Sequence, residues 1–168
     1  MGAGNGLNFA HYPPTVAEIV AVEPEPFLRA RALEAAEAAP VPVSVVDGTS
    51  TALPLDDASC DAGVASLVLC SVPDQAAALS ELRRVIRTGG ELRLYEHVLA
   101  ESRWHARTQR LLDTTIWPHL AGGCHAARDT LAAIEAAGFS VEERRRFTFR
   151  PMPGIPTSPH ILGTARRP

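Results

Sequence analysis

Short apolar runs alternate with longer amphipathic stretches along nearly the whole chain. Ile19 to Val22 is continuously apolar and rich in β-branched residues, the pattern of a strand buried on both faces of a parallel sheet, and Glu23 closes it. The Pro-Glu-Pro step at 24–26 breaks that strand. Phe27 to Ala39 then reads as a helix with Leu28, Ala32, Leu33 and Ala36 on one side, ended by Pro40 and Pro42. Val43 to Val46 is the next strand and closes on Asp47-Gly48. After a loop from Thr49 to Asp61, Gly63 to Leu69 has hardly a polar atom and is predicted to be a central strand. Asp74 is placed to cap a helix from Gln75 to Ile86 that turns Ala78, Leu79, Leu82, Val85 and Ile86 inward, with Gly89-Gly90 as its terminator. Glu91 to Tyr95 alternates as a strand does and ends at Glu96-His97. A helix is predicted from Ser102 to His119, carrying Trp104 and Trp117, and Gly122-Gly123 breaks it. Arg128 and Asp129 stand ahead of a last helix, about Thr130 to Ala137, capped by Gly138. Val141 to Phe149 alternates charge with apolar residues like an edge strand. Pro151, Pro153, Pro156 and Pro159 mark a wide turn before a closing strand from His160 to Ala165.

Strands alternating with helices give an α/β domain with a mostly parallel sheet, and the last two strands, joined by a wide turn, are predicted to be an antiparallel pair. No internal repeat interrupts the pattern. A chain of 168 residues is one domain's worth.

Charge and cysteine usage narrow the function classes. The formal charge is −3, and all sixteen basic residues are Arg. They are dispersed, and the densest run, Arg144 to Arg146, lies beside Glu142 and Glu143, which reads as a solvated strand end and not a nucleic-acid patch. No apolar run reaches membrane-spanning length and no signal core follows a basic start, so a cytoplasmic protein is expected. Cys60, Cys70 and Cys124 are odd in number and widely spaced, without a Cys-x-x-Cys pair. The six His residues show no His-x-x-x-His spacing, so free thiols and no metal site are expected.

The candidate chemistry lies at the start of the chain. Gly2, Gly4 and Gly6 alternate with small or polar residues, which lets the backbone turn tightly at positive φ and lets a nucleotide-like cofactor approach. Glu23, at the carboxyl end of its strand, is placed to accept hydrogen bonds from ribose hydroxyls, and Asp47 supplies a second acceptor, for the cofactor's base. A glycine turn of this kind normally follows a buried strand, and none precedes it in this sequence. Other residues have a structural reading beside the functional one. Glu96 and His97 end a strand where a substrate can reach them, or are hydrogen-bonded structural groups. Cys124-His125 has the composition of a nucleophile and base but is more simply structural. Trp104 and Trp117 are expected in a core or a lid.

These residues fall into blocks, GAGNGLNFAHYP (2–13), VEPEP (22–26), DGTSTALPLDDASCD (47–61), SLVLCSVPD (66–74), GGELRLYEHV (89–98), GGCHAARDT (122–130) and PHILGTA (159–165). In that order they resemble the class I S-adenosylmethionine-dependent methyltransferases, and within them the small-molecule enzymes of the methyltransferase-like seven group. The resemblance implies a Rossmann-like, mostly parallel sheet with helices on both faces and an antiparallel last strand, in a single domain, 1–168, that lacks its first central strand. It implies S-adenosylmethionine as cofactor, with Gly2, Gly4 and Gly6 in the loop under its methionine part, Glu23 on the ribose and Asp47 near the adenine amine. Leu69 and Cys70 match the segment that lines the cofactor and faces the substrate. The implied cofactor-binding set is Gly2, Ala3, Gly4, Gly6, Asn8, Glu23, Pro24, Asp47, Gly48, Leu69 and Cys70.

The activity so implied is direct in-line methyl transfer to a small, largely apolar acceptor. A thiol is favoured, with Ile116, Trp117 and Leu120 as an apolar wall, and no catalytic residue or oligomeric state is assigned. Two rivals stand beside it. One is a nicotinamide-dependent Rossmann oxidoreductase, against which Leu7 and Asn8 replace the G-x-G-x-x-G continuation. The other is a catalytically inactive, truncated binding module.

Overall fold

Two segments, Met1–Asp56 and Asp57–Pro168, each pack as a unit of their own. The computed structural model describes the whole chain except residues 116, 118–121 and 151–156.

In the first unit, a 3-10 turn (Phe9–His11) precedes strand β1 (Ile19–Val22), helix α1 (Pro26–Ala36) and strand β2 (Val43–Val46). The two strands pair in parallel, Ile19 opposite Val43 through Val22 opposite Val46. Helix α1 starts where Pro26 pre-sets a helical φ at its first position and the Glu25 carboxylate accepts from the Leu28 N–H at 2.6 Å. It ends three residues before the predicted Ala39. Its inner face is also smaller than predicted. Ala32 is fully buried with Ala35 and Ala36 against the same core, whereas Leu33 is 53% exposed. Small residues let the helix lie close to the strands, and Phe9, Ala21 and Ala32 form the centre of this core.

The second unit holds β3 (Cys60–Ser66), α2 (Gln75–Val85), β4 (Ile86–His97), α3 (Arg103–Asp113), α4 (Thr130–Ala136), β5 (Ser140–Phe149) and β6 (Ser158–Arg166). Its sheet has the order β3-β4-β6-β5. Strand β3 runs parallel to β4, and β6 is antiparallel to both of its neighbours, so β5 runs in the direction of β4. The antiparallel closing strand is therefore as predicted, and Arg144, Arg145 and Arg146 are exposed on the edge strand β5.

Three element boundaries in this unit differ from the sequence expectation. The third strand lies three residues early, over Cys60–Ser66 instead of Gly63 to Leu69, because Leu67 takes a left-handed φ of 56° and turns the chain out of the ladder. It borders the four-stranded sheet and has one neighbour there, β4, so it is not central to that sheet. Gly89-Gly90 does not stop α2. The helix passes into β4 at Ile86, and the glycines sit where the pairing jumps from Cys60–Ile86 to Ala62–Glu91. Helix α3 stops at Asp113, and part of the predicted extension to His119 falls outside the described residues. Trp104, expected in a core or lid, is 79% exposed on it. Helix α2 buries Ala78, Leu79, Leu82 and Val85 as predicted, and Asp74 caps it by accepting from the Ala77 N–H. Among the described residues, no helix is long and apolar enough to cross a membrane.

Candidate functional site

At the start of the first unit, Gly2, Gly4 and Gly6 all take positive φ, 63°, 58° and 79°. The turn they make is fastened to the end of β1. The Ala3 N–H donates to the Val22 carbonyl at 3.1 Å, and the Gly4 N–H donates to Glu23 Oε2 at 2.7 Å. Two of these glycines are needed for different reasons. A Cβ on Gly6 would lie 2.7 Å from the Ala35 Cβ and 2.8 Å from the Phe9 ring, so Gly6 is dictated by packing. A Cβ on Gly4 would meet nothing within 4 Å, so the space beside Gly4 is open. Asn8 precedes the 3-10 turn without capping it through its side chain.

Glu23 is buried, and its second oxygen accepts from the Glu25 N–H at 3.1 Å. Each carboxylate oxygen has two lone pairs, so the two backbone donors leave acceptor capacity unused. Pro24 is exposed beside it. Arg29, from the second turn of α1, was not singled out in the sequence. Its Nη1 donates to the Glu23 carbonyl (2.8 Å), the Pro24 carbonyl (2.9 Å) and Asp47 Oδ1 (2.9 Å), binding the ends of β1 and β2 together. Asp47 is thus an ion-paired but largely exposed carboxylate. Gly48 follows it, with Pro54 and Val22 against its Cα. Nine of the predicted residues, Gly2, Ala3, Gly4, Gly6, Asn8, Glu23, Pro24, Asp47 and Gly48, belong to this unit.

Leu69 and Cys70 belong to the second unit and are fully buried. Their segment is organised by Glu96, a side chain with no exposed surface. Glu96 Oε1 accepts from the N–H groups of Val68 and Leu69, both at 2.9 Å, and Oε2 from that of Cys70 at 3.1 Å. Burial pushes the Glu96 carboxyl up to about 8, against the pull of these donors. The carbonyls are occupied too. Arg128 Nη1 donates to those of Leu69 (2.8 Å) and Val72 (2.7 Å), Gln75 Nε2 to that of Leu69 (3.1 Å), and the His125 N–H to that of Cys70 (2.7 Å). The main chain of this segment is thus held at both its N–H and its carbonyl groups.

Beside it lie three groups that the sequence keeps far apart. His97 Nδ1 is 3.1 Å from Cys124 Sγ and 3.9 Å from Cys70 Sγ. The Cys70 thiol is pushed up to about 12, first by its hydrogen bond to Cys124 and then by burial, and the same bond holds Cys124 below the usual thiol range. The nucleophile-and-base arrangement of Cys124-His125, which the sequence ranks below a structural role, is not formed. The His125 ring meets Asp113 Oδ2 at 3.1 Å, and it is His97 that faces Cys124. No spacing rule finds this cluster, since Cys70, His97 and Cys124 are brought together only by the sheet. Of the expected apolar wall, Ile116 and Leu120 lie outside the described residues.

Comparison with known proteins gives this architecture a family. The methyltransferase domain family model matches residues 1–94. Thiol S-methyltransferase TMT1B of Rattus norvegicus is 36% identical over 170 residues, which cover 98% of this chain and 68% of the relative. Thiol S-methyltransferase TMT1A of Homo sapiens is 35% identical over 169 residues, with the same shares covered. A solved S-adenosylmethionine-dependent methyltransferase from Methanosarcina mazei shares the fold with a TM-score of 0.77 at 16% identity, over 99% of this chain and 89% of that one. These relationships do not support the nicotinamide oxidoreductase alternative. A turn of three left-handed glycines fastened to a buried acid at a strand end, on a chain with these relatives, belongs to the methyltransferase domain family, as an S-adenosylmethionine-dependent class I enzyme.

Proposed function

We propose that the chain methylates a small, largely apolar thiol. The observation that carries this reading is the 36% identity, over 98% of the chain, to a protein named a thiol S-methyltransferase. When bound, S-adenosylmethionine supplies a methyl group already activated by a sulfonium. The work left to the protein is alignment, which is worth roughly 7 to 11 kcal/mol when reacting groups are held in line. A thiolate is itself a strong nucleophile, so little base catalysis is required and direct in-line attack suffices.

For the cofactor we propose the set Gly2, Ala3, Gly4, Gly6, Asn8, Glu23, Pro24, Asp47, Gly48, Leu69 and Cys70. Glu23 accepts the ribose hydroxyls on lone pairs that Gly4 and Glu25 leave free, and the open side of Gly4 takes the methionine part. Asp47 accepts from the adenine amine while Arg29 holds its other side. The free thiols support a reducing, cytoplasmic location, and the dispersed arginines a small-molecule acceptor in preference to nucleic acid.

We also propose one domain over 1–168. The β1 residues that pair with β2 through Ile19 N–H and Glu23 N–H alternate with Val20 and Val22, whose backbone groups point the opposite way, and Ala3 already docks on the Val22 carbonyl there. A strand leading into Ala3 would continue along that edge.

Incubating the protein with methyl-labelled cofactor and matched alkyl thiols, phenols and amines tests the acceptor. Label is expected on sulfur, and exclusive transfer to nitrogen would refute the thiol.

A further inference from the structure

Cys70, His97 and Cys124 reach one point from the turn after β3, the end of β4 and the segment ahead of α4. Two Sγ atoms and one imidazole nitrogen lie there within 4.8 Å of one another, and among the described residues this is the one group of His, Cys, Asp and Glu donors so gathered. Zinc takes thiolate sulfur at about 2.3 Å and imidazole nitrogen at about 2.0–2.1 Å, so a tetrahedral site has sulfur-to-nitrogen edges of roughly 3.5 Å. The edges here, 3.1 and 3.9 Å, bracket that length. Cys70 and Cys124 are buried and His97 is half-buried, which gives the cluster a dry floor and one side nearer water.

The surrounding bonds hold the backbone of the donors in place, while Cys70 Sγ itself meets the Ser71 hydroxyl at 3.5 Å. The Cys70 N–H rests on Glu96 and its carbonyl on the His125 N–H, while Arg128 clamps the carbonyls on either side. His125, next to Cys124, is fixed in turn by Asp113. Donor groups locked by such outer contacts form the preorganised frame that a metal site requires.

We propose that Cys70, His97 and Cys124 bind one zinc ion through two thiolates and His97 Nδ1, leaving the fourth position open to a small soft ligand. Each thiol gives up its proton to solvent on binding, and the two thiolates balance the charge of the dication. Three protein ligands with a free fourth position are the arrangement of a reactive zinc site, as opposed to a closed structural one. A substrate thiolate is the soft donor that suits that position. This last clause rests on the thiol acceptor proposed above, whereas the zinc site does not.

The experiment uses the full chain, reduced and stripped with chelator, then titrated with Co2+ and with Zn2+ against a competing indicator. One equivalent of Co2+ is expected to give sulfur-to-cobalt charge transfer and intense tetrahedral bands, both abolished by Zn2+. Cys70→Ser and Cys124→Ser should each weaken Zn2+ binding by about 100-fold or more, at least the loss that an outer-contact change produces. Cys60→Ser should leave it unchanged. In case a serine variant does not fold, alkylation rates of the unsubstituted chain with and without Zn2+ read the same point, since Zn2+ should slow modification of Cys70 and Cys124 relative to the metal-free chain and leave Cys60 unchanged. Absent charge transfer, unchanged affinity in both serine variants, or alkylation of Cys70 and Cys124 that Zn2+ does not slow would overturn the site. Ethanethiol added to the Co2+-loaded chain should shift the charge-transfer band. An unmoved band would overturn the open-position clause alone, and none of these readouts depends on methyl transfer.

Discussion

The backbone N–H of Gly4 donates to Glu23 Oε2 at 2.7 Å, so the glycine turn and the acid at the end of β1 form one unit although 19 residues separate them. The carboxylate has two tasks in this arrangement. It sets the shape of the turn, and it offers its remaining lone pairs to a ligand's hydroxyls.

Glu23→Ala removes both functions. Hydrogen bonds to a charged acceptor are worth roughly 1.5 to 3 kcal/mol each, so S-adenosylmethionine binding measured by calorimetry should weaken by about tenfold to a hundredfold or more. Unchanged affinity would remove Glu23 from the cofactor site. Glu23→Gln, which keeps one acceptor oxygen, should fall between the variant and the parent.

Alanine at Gly4 and at Gly6 should separate ligand space from packing. At Gly6 the new methyl group would press on Ala35 and Phe9, and overpacking of this kind costs typically 1–3 kcal/mol on top of the left-handed backbone. At Gly4 only the backbone penalty of roughly 1–2 kcal/mol applies, while the methyl group enters the open space beside the turn. Thermal melts should therefore show the larger drop for Gly6→Ala. The ratio of lost cofactor affinity to lost stability should be larger for Gly4→Ala, and the reverse order would show that the space beside Gly4 is not ligand space.

Glu96→Ala should be far more damaging than its position in a family motif suggests. It leaves the N–H groups of Val68, Leu69 and Cys70 without their acceptor. An unsatisfied buried donor costs about 1–3 kcal/mol, and three approach the usual net stability of about 5–15 kcal/mol. Expression as aggregate, or a melting temperature many degrees lower, is the expected result. Glu96→Gln keeps an oxygen for two of the three donors and should lose less. A melt of Glu96→Ala that matched the parent would show that the turn is held by other groups.

Adding a strand of the V-L-D-V type ahead of Met1 tests whether the Val20 and Val22 edge of β1 accepts a further strand. If it pairs along the Val20 and Val22 edge, the longer protein should melt at a higher temperature and show a larger cofactor-induced shift. Equal melts and equal shifts would show that the glycine turn needs no strand before it.

Elements whose cause is local were legible in the sequence. β1 and β2 lie where their β-branched runs do, and Asp74 caps its helix because a carboxylate there reaches the N–H three residues on. The alternating edge strand and the antiparallel closing strand followed from charge pattern and turn length. Glu23 was legible as an acid ending an apolar run. The rest was decided by tertiary contact. Leu67 leaves the ladder so that three consecutive N–H groups can converge on Glu96, a partner 26 to 28 residues away that no local propensity encodes. Leu33 has the apolar character of an inward residue, yet the close approach of α1 to its strands selected alanines. Arg29 and Arg128 gained their roles from carbonyls left at strand ends and turns, which composition cannot reveal. The meeting of Cys70, His97 and Cys124 depends on which strands are neighbours, since spacing along a chain reports proximity only within one element and a sheet brings together residues from several.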